Sequence, residues 1–216
     1  MWDIAKRFRE EAALLGVHLD EEMLVRFCTY LDELRQWNRV VRLVSCAEVK
    51  EVVWLHFMDS LTPLSLMPEE GLLVDIGSGA GFPGVPIKIA RPSLHVTLVE
   101  AKRKKANFLR HLSKRLALEG VRVHEGRAEE MESSVRFDIA ISRASAPAER
   151  WIPWALRQLS EGGRIIVMTS QEASLDHLRG LADDLHLEVM GVKDVLLPVV
   201  GRRRRVVAMC KKGRFT

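Results

Sequence analysis

Four glycines in eight positions, Gly77, Gly79, Gly81 and Gly84, follow a short apolar run within VDIGSGAGFPGVP (residues 74–86). Glycines that close behind a strand let a ligand reach the backbone, because no Cβ stands in the way and an opening helix offers its N–H groups. Two ligand classes compete for such a loop. Gly79-Ala80-Gly81-Phe82-Pro83-Gly84 satisfies the G-x-G-x-x-G of dinucleotide sites. Its register is poor, since the first glycine after the strand is Gly77, and counting from there puts Phe82 where the third glycine belongs. Pro83 and Pro86 also remove N–H donors from the turn that would receive a pyrophosphate. S-adenosylmethionine carries no phosphate; it needs close backbone approach for its amino-acid end and a carboxylate for its ribose hydroxyls. Asp75, Gly77, Gly79 and Gly81, spaced D-x-G-x-G-x-G, fit that ligand better. Glu100, at the end of the next apolar run, would serve either one. The loop favours the methyl donor, and a nucleotide-dependent oxidoreductase is kept as the rival.

Other side chains sit at positions where a sheet of this kind does chemistry. Gly126-Arg127-Ala128-Glu129 follows a third apolar run, the place for adenine contacts, and Ile141-Ser142-Arg143-Ala144 closes a fourth, where a methyl acceptor would enter. The bland alternative for Arg127 and Arg143 is a surface ion pair. His56 and Asp59 lie three residues apart on one helix face, so they are either a site edge or, as the better-supported reading, a helix-packing or capping pair. Cys28, Cys46 and Cys210 have no metal-ligand spacing and read as reduced, packed thiols, so no metal is expected.

The elements that position these residues can be read from hydrophobic period. Residues 2–68 are helical: Asp20 can cap a helix whose Leu24, Phe27, Cys28, Leu31 and Leu34 form one stripe, a further helix covers about 47–58, and Pro63 and Pro68 close the region. From Leu72 onward strands at 72–76, 94–100, 121–126, 137–142 and 164–168 alternate with helices, including 84–90 and 102–118. That order implies a parallel sheet covered on both faces. LEVMGVKDVLLP and RRVVAMCKK lack a crossover helix between them and read as an antiparallel hairpin at the sheet edge. The expected fold is therefore α/β, a Rossmann-like and mostly parallel sheet with an antiparallel C-terminal hairpin and an N-terminal helical extension. The expected division is a helical region at 1–70 and a methyl-donor-binding domain at 71–216.

The 216 residues carry a formal net charge of +4, and 47% of them are hydrophobic. No apolar run reaches the roughly 18–20 residues of a membrane span, and the charged N-terminus is unlike a signal peptide, so a cytoplasmic location is expected. The charge is clustered: Lys102 to Lys105 form one cationic run, Arg202, Arg203, Arg204 and Arg205 another, and Lys211-Lys212-Gly213-Arg214 lies near the end. Runs of this kind attract polyanions. Arg103, Arg110 and Lys114 fall opposite the apolar Phe108, Leu109, Leu112 and Leu116 and read as a solvated face; the arginine run is the preferred contact for a polyanion.

Together WNRVVRLVS (37–45), HFMDS (56–60), VDIGSGAGFPGVPIKIARP (74–92), GRAEE (126–130), FDIAISRA (137–144) and the basic hairpin near 201–212 resemble the RsmG (GidB) family over nearly the whole chain. The resemblance implies a class I S-adenosylmethionine-dependent methyltransferase fold. It implies transfer to N7 of a guanine in bacterial 16S ribosomal RNA, with the RNA or the small ribosomal subunit as partner. It carries cofactor contacts onto Gly77, Phe82, Ala128, Glu129 and Arg143, to which the residue reading adds Gly79, Gly81 and Glu100. Arg127, Arg143 and the four arginines at 202–205 are the RNA candidates. Arg42-Leu43-Val44 and Thr169-Ser170 stand where the family usually has Asn-Leu-Thr and Lys-Gly. Guanine N7 has a lone pair and no proton, so no general base is needed and no catalytic residue is named. A monomer is expected. A different RNA acceptor, or an RNA-binding assembly factor with a relict cofactor site, remain as alternatives.

Overall fold

A computed structural model describes residues 2–131, 135–143 and 147–212; Ala144, Gly213 and Arg214 lie outside them. The chain begins with two helices, α1 (Trp2–Leu14) and α2 (Glu21–Asn38). Asp20 caps α2, its carboxylate accepting from Met23 N at 2.7 Å, with Glu21 and Glu22 favourably placed against the helix dipole. A continuous helical passage follows, comprising α3 (Val49–Glu51), a π turn (Val52–Phe57), α4 (Met58–Leu61) and a 3-10 turn (Thr62–Leu66). It runs past the expected stop at Pro63, which sits in the first turn of the 3-10 segment, where its missing N–H goes unneeded.

Seven strands then build one sheet: β1 (Gly71–Ile76), β2 (Leu94–Glu100), β3 (Val121–Glu125), β4 (Phe137–Arg143), β5 (Leu159–Ser170), β6 (Leu187–Leu196) and β7 (Arg203–Lys211). Their order is β3-β2-β1-β4-β5-β7-β6. The first five pair in parallel, and β7 runs antiparallel between β5 and β6. The parallel pairs are joined through α5 (Gly84–Ala90), α6 (Arg103–Arg115) and α7 (Ala148–Gln158), while α8 (Leu175–Asp184) leads into β6.

Alternation along the strands sorts the core into two layers. Leu73, Leu98, Ile139, Ile166 and Val206 face one side, packed with Phe8, Phe27, Tyr30 and Phe57 of the N-terminal helices and Phe108 of α6. Val74, Val99, Ala140, Ile165 and Val207 face the other, against Trp151, Trp154 and Leu178 of α7 and α8. Arg91 fastens the helical passage to the end of α5. Its guanidinium donates to the carbonyls of Leu64 (2.7 Å), Met67 (3.0 Å) and Pro68 (2.8 Å). The buried Lys88 ammonium donates to Pro92 O and Leu94 O, both at 2.6 Å, tying α5 to the start of β2. Among the described residues no helix is long and apolar enough to cross a membrane.

Candidate active site

β1 connects outward to β2 and its other neighbour β4 connects outward to β5, so the connections leaving the carboxyl ends of β1 and β4 part in opposite directions and open a crevice there. The glycine loop roofs it. Gly77 N and Ser78 N both donate to Val99 O at 3.0 Å, Ser78 Oγ returns to Asp75 O at 2.9 Å, and Gly79 N donates to the Glu100 carboxylate at 2.9 Å. The second Glu100 oxygen accepts from Lys102 N at 2.7 Å. These bonds hold the loop open over a cavity of about 440 Å³, lined by Gly77, Gly79, Phe82, Glu100 and Arg143 together with Leu43, Val44, His56 and Lys105.

The structure therefore brings five of the eight expected cofactor residues to one cavity. Gly81 faces away from it. With φ at +102°, a Cβ there would lie 2.7 Å from Tyr30 Oη and 2.8 Å from Val85 Cγ2, so the glycine exists for packing of the loop against α2. Gly79 is the opposite case. Its φ is +58°, and the nearest atoms to an added Cβ are Gly77 O at 3.8 Å and Lys105 Nζ at 4.0 Å, which leaves room for a ligand to press on the backbone. Ala128 and Glu129 form a 3-10 turn after β3 outside the cavity lining; Ala128 is buried with Val99 and Glu129 is exposed. Arg127 is exposed, and its backbone N–H donates to the Glu130 carboxylate.

The floor of the cavity is aromatic and cationic. Phe82 lies nearly parallel to Tyr30 (5.4 Å, 20°) and to His56 (4.8 Å, 21°), and the Arg143 guanidinium sits 4.9 Å from its ring centre. Tyr30, the only tyrosine of the sequence, donates its hydroxyl to Ala80 O at 2.6 Å and so braces the glycine loop from α2. Arg143 is held on three sides: NH1 reaches Leu55 O (3.3 Å) and Asp59 Oδ2 (3.2 Å), and NH2 reaches His56 Nδ1 (3.3 Å). Asp59, 1% exposed, also has Arg204 Nε 3.2 Å from its Oδ1, a charge contact without the alignment of a hydrogen bond. Burial pushes the Asp59 carboxyl up, and the two guanidiniums pull it back toward the anion.

His56 thus lines the cleft, while Asp59, buried and outside the lining, anchors the Arg143 that lines it. The signal is their i, i+3 spacing, and the π turn that ends at Phe57 presents them. Leu43 and Val44 reach the cavity because the Asn38 side chain accepts from both of their N–H groups, at 2.8 and 3.0 Å, and folds the chain back after α2. Lys105 comes from the helix whose exposed face carries Arg103, Arg110 and Lys114; Arg110 pairs with Glu125 at 2.8 Å. The arginine run is split by the alternation of β7. Arg204 turns to Asp59 in the cleft, and Arg205 makes a two-pronged contact with Asp194 at 2.8 and 2.9 Å. Arg202 and Arg203 stay exposed, Arg203 reaching Gln171 Oε1 at 3.3 Å.

Asp75 lies beneath the loop, fully buried. One oxygen accepts from Gly84 N at 3.0 Å, and among the described residues the other meets no well-aligned hydrogen-bond donor. Burial pushes its carboxyl up to about 7, only partly offset by the Gly84 and Ser78 hydrogen bonds and by Arg143. Between about pH 4 and pH 7 the folded chain keeps a proton that the unfolded chain releases. This group therefore favours folding most below about pH 4, and its contribution is lost as pH rises to about 7. Asp75→Asn, which cannot ionise, is expected to remove that component from urea-unfolding free energies measured across this window. Identical pH dependence in the two proteins would contradict the assignment.

The family pattern described as rRNA small subunit methyltransferase G matches residues 23–207. The chain belongs to that family. Two curated relatives named ribosomal RNA small subunit methyltransferase G show how far the likeness extends. The protein of Syntrophus aciditrophicus is 35% identical over 212 residues, covering 94% of this chain and 88% of its own. That of Roseiflexus castenholzii is 38% identical over 199 residues, covering 89% and 85%. Membership in the methyltransferase G family makes the chain an S-adenosylmethionine-dependent methyltransferase and does not favour the oxidoreductase reading. Solved structures agree at the level of fold. A ribosomal protein L11 methylase from Lactobacillus delbrueckii subsp. bulgaricus superposes with a TM-score of 0.60 at 13% identity, covering 74% of this chain and 79% of that one. M. jannaschii TYW2, solved in complex with AdoMet, gives 0.57 at 15% identity, covering 71% and 74%. The cavity suits that cofactor: Gly79 leaves backbone exposed, and Glu100 presents a carboxylate at the end of β2, where ribose hydroxyls are read.

Proposed function

We propose that this methyltransferase modifies N7 of a guanine in 16S ribosomal RNA, as free RNA or in the small subunit, acting as a cytoplasmic monomer. Residues 71–216 would form its cofactor-binding domain, and residues 1–70 the helical region that supplies His56 and Asp59. The observation that carries the choice of acceptor atom is that the groups at or behind the cavity that could take up a proton already accept from partners. Glu100 accepts from two backbone N–H groups, His56 Nδ1 from Arg143, and Asp59 is occupied by two guanidiniums. A nucleophile that carries its own lone pair and no proton suits a site that spares no base.

When bound, S-adenosylmethionine supplies a methyl group on a cationic sulfur, open to in-line attack. In this reading the glycine loop holds the amino-acid end at Gly77 and Gly79, Glu100 accepts from the ribose hydroxyls, Ala128 and Glu129, beyond the lining, are the candidates to border the adenine, and Phe82 and Arg143 form the wall facing the acceptor. The N7 lone pair forms the new bond as the S–C pair returns to sulfur, so positive charge passes to the purine. Catalysis is then largely orientation and proximity. Incubation with methyl-labelled S-adenosylmethionine tests the acceptor class: label is expected in 16S RNA, supplied free or in unmethylated small-subunit particles, and label in protein alone would contradict it.

Phosphate binding is assigned to the exposed arginines, Arg202 and Arg203, with the exposed Arg127 after β3 as a further candidate. Arg204 and Arg205 have carboxylate partners and would contribute less. Arg202→Ser with Arg203→Ser is expected to weaken RNA binding and to reduce the salt slope by about 0.7–0.9 for each phosphate that is no longer neutralised. The rise in Tm with S-adenosylhomocysteine should be unchanged. Wild-type RNA affinity at physiological salt would contradict this.

A further inference from the structure

His56 is held in one tautomer and one charge state by its neighbours. Its ring lies against Phe82 on the cavity wall, and its Nδ1 is 3.3 Å from Arg143 NH2. A guanidinium can only donate, so Nδ1 is the acceptor and the ring proton must reside on Nε2. Burial, then Arg143 and Arg204, drive the imidazole pKa down to about 3. The Leu55 carbonyl pulls the other way, toward the cation, but less strongly than burial and the two guanidiniums. His56 is therefore a neutral donor at physiological pH. The ring lines the cavity where the acceptor base must sit, and with Nδ1 turned to Arg143 its Nε2–H is the donor it can offer there.

The chemistry of a purine says what such a donor is for. Guanine offers two acceptors on its Hoogsteen edge, N7 and O6, whereas adenine offers N7 and an amino group. If N7 must stay free to take the methyl group, the base has to be recognised at O6. An N–H donor there accepts guanine and opposes adenine, leaving two donors face to face. Arginine or lysine could also read O6, but a cation at that spot would resist the positive charge arriving on the ring. A neutral imidazole reads the same atom without that penalty.

We infer that His56 selects guanine by donating Nε2–H to its O6, and that Arg143, anchored with Arg204 on Asp59, is the positioning residue that fixes this donor. The inference rests on the guanine-N7 reading above. Arg143 thereby gains a role apart from cofactor or RNA contact: it decides which imidazole nitrogen carries the proton.

The test replaces the labelled guanine in the RNA by 2-aminopurine, which keeps N7 and lacks O6. Wild-type enzyme is expected to lose about 10–100-fold in kcat/KM on the analogue. His56→Phe, which keeps the stack on Phe82, should lose a similar factor on guanine and show no further loss on 2-aminopurine. His56→Gln, which restores an N–H, should regain part of the preference. Imidazole ¹⁵N shifts of the wild-type protein should report an Nε2-protonated, neutral ring from pH 8 down to pH 5. Equal wild-type rates on the two bases, a guanine preference that survives in His56→Phe, or a proton on Nδ1 would each overturn the inference. The wild-type comparisons need no variant to fold. Methyl label on an atom other than N7 would instead overturn the acceptor reading itself, which separates the two failures.

Discussion

Asp59→Ala is expected to destabilise the protein by about 3–5 kcal/mol, the range seen when one member of a buried charge network is removed. Asp59 is 1% exposed and is the carboxylate between Arg143, whose side chain is 15% exposed, and Arg204, at 23%. Without it two guanidiniums from β4 and β7 face each other with no counter-charge, and neither can lose its proton to relieve the strain. For a chain of this size that corresponds to a Tm lower by roughly 10 °C. The cavity should suffer as well, because Arg143 and through it His56 lose their anchor. Asp194→Ala is the matched control. It breaks a better-aligned pair with Arg205, but one in which the aspartate is 40% exposed, and it is expected to lose no more than about 1 kcal/mol. Equal losses in the two variants, by urea unfolding, would show that burial is not what makes the Asp59 network matter.

Gly81→Ala carries the second large effect. The backbone at Gly81 has a φ of +102°, where an L side chain is strained, and the added methyl would meet Tyr30 Oη at 2.7 Å and Val85 Cγ2 at 2.8 Å. Backbone strain of about 1–3 kcal/mol combines with overpacking of about 1–3 kcal/mol. Relief requires Tyr30 to withdraw, which breaks its bond to Ala80 O and frees the loop that carries Gly79 toward Glu100. Stability should fall by about 2–5 kcal/mol, and S-adenosylhomocysteine should bind at least about tenfold more weakly by calorimetry, since 1.4 kcal/mol of lost preorganisation is a factor of ten. Gly180→Ala, in α8 with nothing within 4 Å of the new methyl, should gain about 0.5–1 kcal/mol from helix propensity. Wild-type cofactor affinity in Gly81→Ala would contradict the bracing of the loop by α2.

These two residues also mark where the sequence is legible and where it is not. Gly81 can be found because local chemistry announces it: a D-x-G-x-G-x-G run after an apolar strand means backbone in unusual conformations. The same local logic places α5 and β2, the Asp20 cap and the antiparallel edge, where β-branched runs and proline stops dominate. The Asp59 network is hidden because Arg143 lies 84 or more positions along the chain from the Leu55, His56 and Asp59 atoms that it meets. Nothing near Arg143 in sequence says that His56 will be its neighbour until β4 lies beside β1 and the π turn is packed over the loop. Arg204 illustrates the converse error of reading a charge run as one surface. A strand sends alternate residues to opposite faces, so Arg203, Arg204 and Arg205 end with different partners. Lys105 reads as one member of a cationic run because helix period gives its angle around α6, while its height over the glycine loop depends on how Glu100 pins the start of that helix. Spacing marks Gly81 itself as a ligand contact, and the structure turns it into the core; spacing shows which residues are special without showing which way they face.

The most direct test of the whole account is to locate the transferred methyl group. Wild-type protein, methyl-labelled S-adenosylmethionine and unmethylated small-subunit particles are combined, the RNA is digested to nucleosides, and the labelled product is identified by mass spectrometry, with Arg143→Met run in parallel. The account predicts 7-methylguanosine as the labelled nucleoside and a rate at least about a hundredfold lower in the variant. Label on a pyrimidine, a ribose or an exocyclic amine, or an Arg143→Met enzyme as fast as wild type, would contradict it.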